Sequence, residues 1–336
     1  MDVLSDVLKA VTLEGAVFYN AEFSAPWGFR APHSRTVRPL LSPGVGHVIM
    51  FHLLTEGRGS ARLDEGEVLP LEAGDIVVFP HGDPHVVENG GWRPSAKKKG
   101  DVQRVMSRGL RLARGGGGGE VTRFVCGYMA CEPRLGRLVL AGLPPVFKVH
   151  IRDDAAGRWL ESSIRFSVDA AAQAGPGGEA VLAKLSEALF VETLRRYVAQ
   201  WPEGRTGWLA GARDPEVGRV LALMHRRPAH PWSLADLARE AGLSRSVLAE
   251  RFRHFLHQPP MAYLTGWRLQ LGARILGSSS RSVADVAAEV GYESEAAFNR
   301  AFKRSFGVPP ARFRNQSRSA SFPGNPATPK SSARRR

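Results

Sequence analysis

The sequence predicts a multidomain α+β protein with a β-rich N-terminal domain, a helical linker and an all-α C-terminal domain. Three observations indicate this: short apolar runs give way to helical periodicity near Gly157, positive charge concentrates in the last two-fifths of the chain, and one helical pattern occurs there twice. The chain has 336 residues, of which 43% are hydrophobic. That length and composition favour about two domains and exclude a wholly disordered protein.

The N-terminal domain is predicted to span residues 1–156. Its runs HVIMFHLL, DIVVF, VTRFVCGYM and RLVLAGL are rich in strand-forming residues and are bounded by Gly and Pro. Residues 93–120 differ, with 8 basic and 2 acidic residues and five consecutive glycines at 115–119. Because this segment offers nothing that would pack, it is predicted to be a flexible insertion.

Residues 157–204 are predicted to form a helical linker, which Gly175-Pro-Gly-Gly divides into two helices. The first contains Trp159, Ile164, Phe166 and Val168. The second carries a broad apolar stripe formed by Val181, Leu182, Leu185, Ala188, Leu189, Val191, Leu194, Tyr197 and Val198. Such a stripe either packs back on the β domain or pairs with a second copy of the chain, and both alternatives stay open. We expect the linker to contribute to a homodimer.

The distribution of charge points to a polyanionic partner. The net charge is +14, but residues 1–204 hold 24 basic and 23 acidic residues, whereas residues 205–336 hold 22 and 9. A basic segment of this kind commonly binds nucleic acid. A merely soluble basic domain is the alternative that charge alone leaves open.

Residues 213–315 are predicted to be helical throughout, and the Ser-, Pro- and Arg-rich tail 316–336 to be disordered. Within the helical region Ser233-Leu-Ala-Asp-Leu-Ala-Arg-Glu-Ala-Gly-Leu-Ser recurs 49 residues later as Ser282-Val-Ala-Asp-Val-Ala-Ala-Glu-Val-Gly-Tyr-Glu. Each copy is followed by an apolar helical pattern. Two helix-turn-helix units are therefore predicted, joined by a long helix that starts at Pro260.

Individual positions of the repeat fit this prediction. Ser233 and Ser282 are suited to cap the first helix of each unit. Gly242 and Gly291 stand at the tight turn, where a positive φ is needed. The small residues Ala238 and Ala287 occupy the helix crossing. Large apolar residues occupy the inner face of the second helix, namely Leu248, Phe252, Phe298 and Phe302.

About 100 residues of this region resemble the DNA-binding domain of the AraC/XylS family of bacterial transcription regulators. The matching segments are Leu234-Ala-Asp-Leu-Ala, Gly242-Leu-Ser, Pro259-Pro-Met-Ala-Tyr-Leu, Trp267-Arg-Leu, Val286-Ala-Ala-Glu-Val-Gly-Tyr, Phe298-Asn-Arg-Ala-Phe-Lys and Gly307-Val-Pro-Pro-Ala-Arg-Phe-Arg. The resemblance implies that the second helix of each unit enters the major groove of promoter DNA. It also implies RNA polymerase as a partner and activation as the outcome.

The resemblance assigns a set of DNA-contacting positions, which is Arg245, Ser246, Ala249, Glu250, Arg253, Arg268, Glu295, Ala296, Asn299, Arg300, Lys303 and Arg304. Arg300 suits guanine and Asn299 suits adenine, and Glu250 and Glu295 can accept from cytosine. Arg253, Arg268, Lys303 and Arg304 are expected to contact phosphates. Glu250 departs from the arginine that the family often has, which weakens the assignment of base contacts to the first unit.

Residues 74–89 resemble the second cupin motif, with Gly74, Pro80, Gly82, His85 and Asn89 at its spaced positions. This resemblance implies a cupin-like β-barrel that senses a small effector. Leu143-Pro-Pro-Val-Phe and Gly207-Trp-Leu-Ala are similar to the same branch of regulators. The first cupin motif is incomplete, because His52-Leu-Leu-Thr-Glu56 lacks one of two histidines. His52, His81 and His85 are the candidate ligands of a metal ion.

Two alternatives remain at the level of sequence. Cys126 and Cys131 lie on one predicted strand, where buried thiols are the default and a redox-sensing pair is the alternative. A metal-dependent cupin enzyme with a fused helical domain competes with the regulator, but it would not explain the repeated helical unit. The sequence contains no secretory signal or membrane-spanning run, so we expect a cytoplasmic regulator without enzymatic activity.

Overall fold

The structure is a computed structural model that describes residues 13–41, 47–64, 66–91, 110–131, 140, 142–171, 177–201 and 204–321. Residues 93–109 of the predicted insertion and the part of the predicted tail beyond residue 321 lie outside these ranges, whereas residues 316–321, predicted to be disordered, belong to a helix that begins at Pro310. The chain divides into two compact units, one formed by 1–225 with 235–259 and the other by 226–234 with 260–336.

The described residues of the first unit begin with ten strands in two sheets. The strands are β1 (Leu13–Ser24), β2 (Trp27–Ala31), β3 (His47–Glu56), β4 (Arg58–Leu63), β5 (Leu69–Glu72), β6 (Asp75–Phe79), β7 (His85–Asn89), β8 (Ala113–Gly116), β9 (Val121–Cys131) and β10 (Phe147–His150). The larger sheet has the order β10-β6-β3-β9-β1-β8, and the smaller β2-β7-β4-β5. Helix α1 (Ser34–Leu41) lies between β2 and β3 in the chain.

Alternating side chains of both sheets form one apolar core, which confirms the cupin-like β domain. On β9 the residues Phe124, Cys126, Tyr128 and Ala130 point into this core, at the period of two that a strand imposes. The cupin-like turn after β6 depends on Gly82, whose φ is +68°. A Cβ at this position would lie 1.9 Å from the Ser34 hydroxyl oxygen, so glycine is needed for close approach as well as for backbone conformation.

The glycine run is part of the larger sheet, contrary to the flexible insertion expected over 93–120. Residues Ala113–Gly116 form β8, which pairs in parallel with the end of β1. The following glycines continue the contact, since the Gly117 and Gly119 amides donate to the carbonyls of Ser24 and Ala25. The glycines offer no side chains to pack, but their backbone supplies the hydrogen bonds.

Two helices follow the barrel, α2 (Ala155–Ala171) and α3 (Gly178–Ala199). The apolar side of α3 packs on the larger sheet. A Cβ at Gly15 of β1 would lie 2.8 Å from the Ser186 Cβ and 2.9 Å from the Ala183 carbonyl oxygen of α3. The stripe therefore packs back on the β domain, although Val181 is 53% exposed and Ala188 is exposed as well.

The first unit also contains the first predicted helix-turn-helix. It is formed by α6 (Leu234–Ala241) and α7 (Arg245–Leu256), which follow α4 (Trp208–Arg213) and α5 (Pro215–Arg226) in the chain. Close packing joins α4 to α7, because a Cβ at Gly211 would lie 2.9 Å from a methyl carbon of Leu256. The Gly207 amide donates to the Phe255 carbonyl over 2.7 Å.

The second unit contains the long helix α8 (Pro260–Ser278), then α9 (Val283–Glu289), α10 (Glu295–Phe306) and α11 (Pro310–Ser321). Its core contains packed aromatic rings: Phe302 stacks on Phe306 with 4.1 Å between the ring centroids, and it lies tilted against Phe298 at 5.3 Å. Gly272 lets α8 approach this core, since a Cβ there would lie 2.9 Å from the Phe298 ring.

Candidate functional site

In the first helix-turn-helix unit, α6 and α7 are joined by the turn at Gly242. Gly242 has φ +70°, as predicted, and the Leu243 amide donates to the Ala238 carbonyl over 2.9 Å. Ser244 then caps α7, because its hydroxyl accepts from the Val247 amide. Leu248 and Phe252 are fully buried. One side of α7 is thereby fixed in the core, and the opposite side faces outward.

The second unit repeats these features with α9 and α10. The Ser282 hydroxyl accepts from the Asp285 amide, which confirms the predicted N-cap, and Gly291 has φ +86°. A Cβ at Gly291 would lie 2.7 Å from Ala229, so the turn also needs glycine for packing. The Ser294 hydroxyl caps α10 by accepting from the Ala297 amide. Both predicted units therefore exist as helix, glycine turn and capped second helix, and we call α7 and α10 the recognition helices.

Most of the predicted DNA-contacting side chains lie on the outward sides of the recognition helices. The exposed ones are Arg245, Ser246, Glu250, Arg253, Glu295, Ala296, Arg300, Lys303 and Arg304, whereas Ala249 and Asn299 are half-buried. Asn299 donates from its side-chain amide to Glu295 over 3.3 Å, a weak contact that DNA can replace. On α10 three cations therefore follow one another along the outer surface, with one acidic residue at its first turn.

Arg268 does not fit its predicted role as a phosphate contact. Its Nε donates to the Pro228 carbonyl over 2.6 Å, and its Nη2 donates to the His230 carbonyl over 2.7 Å. Burial lowers the pKa of this guanidinium below its ordinary value. Arg268 thus holds the segment before α6 against α8. The sequence did not indicate this, because the carbonyls that accept from Arg268 belong to residues about 40 positions earlier in the chain.

Arg251 is a second arginine whose role is structural, and sequence reasoning did not assign it one. It lies on α7 but turns away from the outer side, where it pairs with Asp214 and, over 3.0 Å, with Glu216. The Asp214 carboxylate is only 8% exposed and also caps α5 by accepting from the Val217 amide. Arg251 therefore fixes α7 to the helices before it.

The barrel interior contains a short chain of polar side chains. His52 on β3 lies with Nδ1 2.8 Å from the Cys126 Sγ on β9, and its Nε2 lies 2.8 Å from the His85 Nε2 on β7. His85 Nδ1 donates to the Asp83 carbonyl over 2.8 Å. The hydrogen bonds fix the tautomers, because His85 Nε2 must then accept from His52 Nε2–H, and His52 Nδ1 from the Cys126 thiol. These three hydrogen-bonded side chains connect the two sheets.

Burial keeps these three side chains uncharged. His52 and His85 are 1% and 0% exposed. Burial lowers the pKa of His85 to about 4 and that of His52 well below its usual range, and it raises the pKa of the Cys126 thiol. Phe79 stacks on His85 with 3.6 Å between the ring centroids, which excludes water from the imidazole. At neutral pH the three side chains are an uncharged, internally satisfied network.

The predicted metal ligands do not form one set. His52 and His85 meet, but each uses the nearer nitrogen in their mutual hydrogen bond, and the His81 Nε2 lies 3.1 Å from the Leu143 carbonyl instead. Glu56, the carboxylate of the first motif, is 52% exposed and pairs with Arg123. These residues do not fit a cupin metal centre, which takes several imidazoles and a carboxylate around one point.

Another acidic group lies outside the barrel interior. Within the described ranges, Glu72, Asp75 and His150 are the one set of three whose ligand atoms come within 4.8 Å of one another. The Asp75 carboxylate already accepts from the Lys148 Nζ over 3.0 Å and the His150 Nδ1 over 2.9 Å. The arrangement is an ion-pair cluster that ties β10 to β6.

Cys126 and Cys131 do not form the redox pair that the sequence leaves open as an alternative. Both are buried thiols on β9, but Cys126 points into the barrel core whereas Cys131, five residues further, lies on the opposite side of the strand. Extended backbone places their Cα atoms roughly 17 Å apart. A disulfide needs Cα atoms within about 7 Å. The bend at Gly127 that a disulfide would require is absent, because Gly127 stays paired with Phe51 of β3.

Comparison with known proteins agrees with this architecture. A cupin family model matches residues 2–199, and a helix-turn-helix domain model matches residues 237–316. An AraC-like transcription regulator of Streptomyces lividans is 37% identical, with 94% of this chain and 98% of the relative covered. The transcriptional regulator AlkR of Acinetobacter baylyi is 28% identical over 94% of this chain and 100% of its own. The RCS-specific transcriptional activator RclR of Escherichia coli is 28% identical over 95% and 99%.

The fold and the repeated helix-turn-helix thus define a DNA-binding transcription regulator. The chain belongs to the AraC-like regulators that carry an N-terminal cupin domain. None of the described helices is both long and apolar enough to cross a membrane.

Proposed function

We propose that this regulator binds promoter DNA as a homodimer, activates transcription through RNA polymerase, and responds to a small effector received by the cupin domain. The observation that carries the proposal is the outer side of α10, where Arg300, Lys303 and Arg304 are exposed. No ion pair with another described residue engages Arg300 or Lys303. Arginine is suited to bind guanine in the major groove, while lysine and the second arginine are suited to bind phosphates.

A footprint of the purified protein on DNA upstream of its own and neighbouring genes tests this proposal. Protected segments at low salt, lost or redistributed in Arg300→Ala, are the expected result. Absence of protection on every fragment at 50 mM salt would contradict it. Transcription in vitro with bacterial RNA polymerase then separates activation, in which transcript rises with protein, from repression.

We propose further that the effector acts on the polar chain of Cys126, His52 and His85. This chain spans the two sheets, so a change in it alters how they pack, and α3 packs directly on the larger sheet. The Cys126→Ser and His52→Gln variants are expected to retain DNA binding but to change the response of a reporter gene. If the reporter response of both variants were identical to that of the parent, the effector would act at another site.

The remaining alternative is a metal-dependent cupin enzyme with a fused helical domain. Its required ligands do not converge, and the relatives with matching full length are named as regulators. We therefore propose that the protein acts without catalysis and is located in the cytoplasm, together with the chromosome. A turnover of any substrate that survives Arg300→Ala and is lost in His52→Gln would support the enzyme instead.

A further inference from the structure

A short segment between α5 and α6 belongs to the second compact unit, although the chain before and after it belongs to the first. This segment is Arg226–Leu234, which we call the connector. Its last residue, Leu234, is also the first residue of α6. The chain therefore passes from the first unit into the second and back again immediately before the first helix-turn-helix begins.

The connector has a fixed shape of its own. The Trp232 indole Nε1 donates to the Arg227 carbonyl over 3.1 Å, and the Trp232 amide donates to the His230 carbonyl over 2.8 Å. Trp232 is buried, and the His230 ring packs edge to face against it with 4.3 Å between the ring centroids. Two prolines restrict the backbone further, because a proline ring fixes φ. These contacts define the shape of the connector without Arg268.

Arg268 of α8 determines where the connector lies. Its Nε and Nη2 donate to the carbonyls of Pro228 and His230 over 2.6 and 2.7 Å, so one rigid guanidinium holds two points of the segment. The turn before α10 contacts the same segment, since a Cβ at Gly291 would lie 2.7 Å from the Ala229 Cα. The connector thus contacts both α8 and the turn of the second helix-turn-helix.

An arginine is an unfavourable choice here if its role is only to stabilise the second unit. Burial lowers the pKa of Arg268 below its ordinary value, so the surroundings disfavour its charge. An apolar side chain would pack against the connector without this cost, but it could not bind two carbonyls at fixed positions. The guanidinium is therefore suited to placing the connector rather than to filling space.

We propose that Arg268 is a positioning residue for DNA recognition by both helix-turn-helix units. By holding the connector on α8 it fixes the start of α6, and the turn at Gly242 fixes α6 to α7. Because the connector also contacts the turn before α10, both recognition helices are presented to DNA at one separation. This inference rests on the proposed function, in which both helices bind DNA, and it names what sets the spacing between their half-sites.

Binding to spacing variants of one DNA site tests this role. The probe is a duplex that the full-length parent selects from a random library, and its derivatives carry one or two extra base pairs between the two protected segments. Each inserted base pair moves one half-site by about 3.4 Å and rotates it by about 35° around the duplex. The parent is expected to bind the derivative with one insertion roughly 100-fold more weakly than the selected duplex, because one unit must leave its half-site.

Arg268→Gln is expected to reduce this discrimination to roughly tenfold or less, since a connector that is no longer held allows other separations. Arg268→Lys should restore part of it, because an ammonium group is a compact charge that does not match two carbonyls as a guanidinium does. The matched control is Arg239→Gln, which removes an arginine of α6 that pairs with Asp236 in an exposed ion pair. This control should discriminate between spacings as the parent does.

Hydrogen exchange in the free full-length protein provides a second measurement. The amides of α6 should exchange about tenfold faster in Arg268→Gln than in the parent, while those of α10 keep their protection. Undiminished discrimination between spacings in Arg268→Gln would overturn the positioning role and leave DNA binding intact. Loss of protection throughout the second unit in both Arg268→Gln and Arg268→Lys would also overturn it, because the residue would then be needed for folding. A parent that selects no motif would overturn the proposed function itself, and this inference with it.

Discussion

The barrel interior and the recognition helices use polar side chains in opposite ways. In the barrel, Cys126, His52 and His85 are buried and satisfy one another. On α10, Arg300 and Lys303 are exposed, and no described acidic side chain pairs with them. Whether a polar side chain is available to bind a ligand therefore depends on its burial and its pairing rather than on its residue type. Arg251 and Arg268 make the point within the helical region, because they belong to basic helices and yet are used internally.

The largest expected effect is the salt dependence of DNA binding. With six to eight phosphate contacts per chain, affinity should fall by roughly three orders of magnitude between 50 and 200 mM salt. Fluorescence anisotropy on a labelled promoter fragment measures it. Lys303→Ala should reduce the slope by about one, whereas Arg268→Gln, which removes a cation bonded to carbonyls, should leave the slope unchanged. An equal change of the salt slope in both variants would show that exposed and internal cations do not differ in their contribution to DNA binding.

The barrel should respond to pH. The folded state holds the pKa of His85 at about 4, below the ordinary value of 6.5, so the unfolded chain binds more protons between these values. The stabilisation is complete above pH 6.5 and is lost as pH falls towards 4. Roughly 2 kcal/mol should be lost by pH 5 through His85 alone. Hydrogen exchange in β3 and β9 at pH 7.5 and pH 5 measures this loss.

His85→Asn provides the control for the pH effect. The variant is expected to be less stable at pH 7.5, because His52 Nε2–H loses its acceptor, but its stability should change less with pH. His225, whose pKa burial lowers to about 3, remains in the variant and contributes its own share. A pH profile parallel to that of the parent would show that His85 titrates normally in the folded protein.

Arg300→Ala should weaken binding to the preferred promoter site 10- to 100-fold, because a bidentate contact to guanine contributes about 1–3 kcal/mol of discrimination. Competition between the preferred site and random DNA measures the effect, which should be a loss of preference more than a loss of general affinity. Arg253→Ala is the comparison on α7, where uniform weakening on all sequences is expected. If both variants lost affinity uniformly, Arg300 would be a phosphate contact.

The smallest expected effect concerns Arg251. Replacing it with alanine leaves the 8% exposed Asp214 carboxylate without its cation, which should lower stability by about 1–2 kcal/mol, given the partial exposure of the arginine. Urea unfolding measures the loss. The salt slope of DNA binding should not change in the protein that remains folded, and a reduced slope would place Arg251 on the DNA side of α7.

The helix-turn-helix units could be predicted in detail because their determinants are local. Ser282 and Gly291 lie within ten residues of each other, and cap and turn chemistry can be inferred from such short segments. The barrel site could not be predicted, because His52, His85 and Cys126 come from three strands that are far apart in the sequence. Their spacing suggested separate metal and redox roles, whereas the sheet register joins them in one hydrogen-bonded chain.

One other error has the same physical origin. The run at 115–119 contains no side chain to pack, yet its backbone joins β8 to β1 through long-range hydrogen bonds. The sequence placed Trp159 and Phe166 on a helix without assigning them to a side, and both are exposed because other side chains fill the core side of α2. In both cases tertiary context decided what the local pattern left open.

Selection of binding sites from a random DNA library, with the full-length protein and Arg300→Ala in parallel, shows whether α10 recognises a base. The parent is expected to enrich a defined motif, and the variant is expected to lose preference at one position, a guanine, while the remaining positions persist. Enrichment of no motif by the parent, or the same motif from both proteins, would contradict sequence recognition through α10.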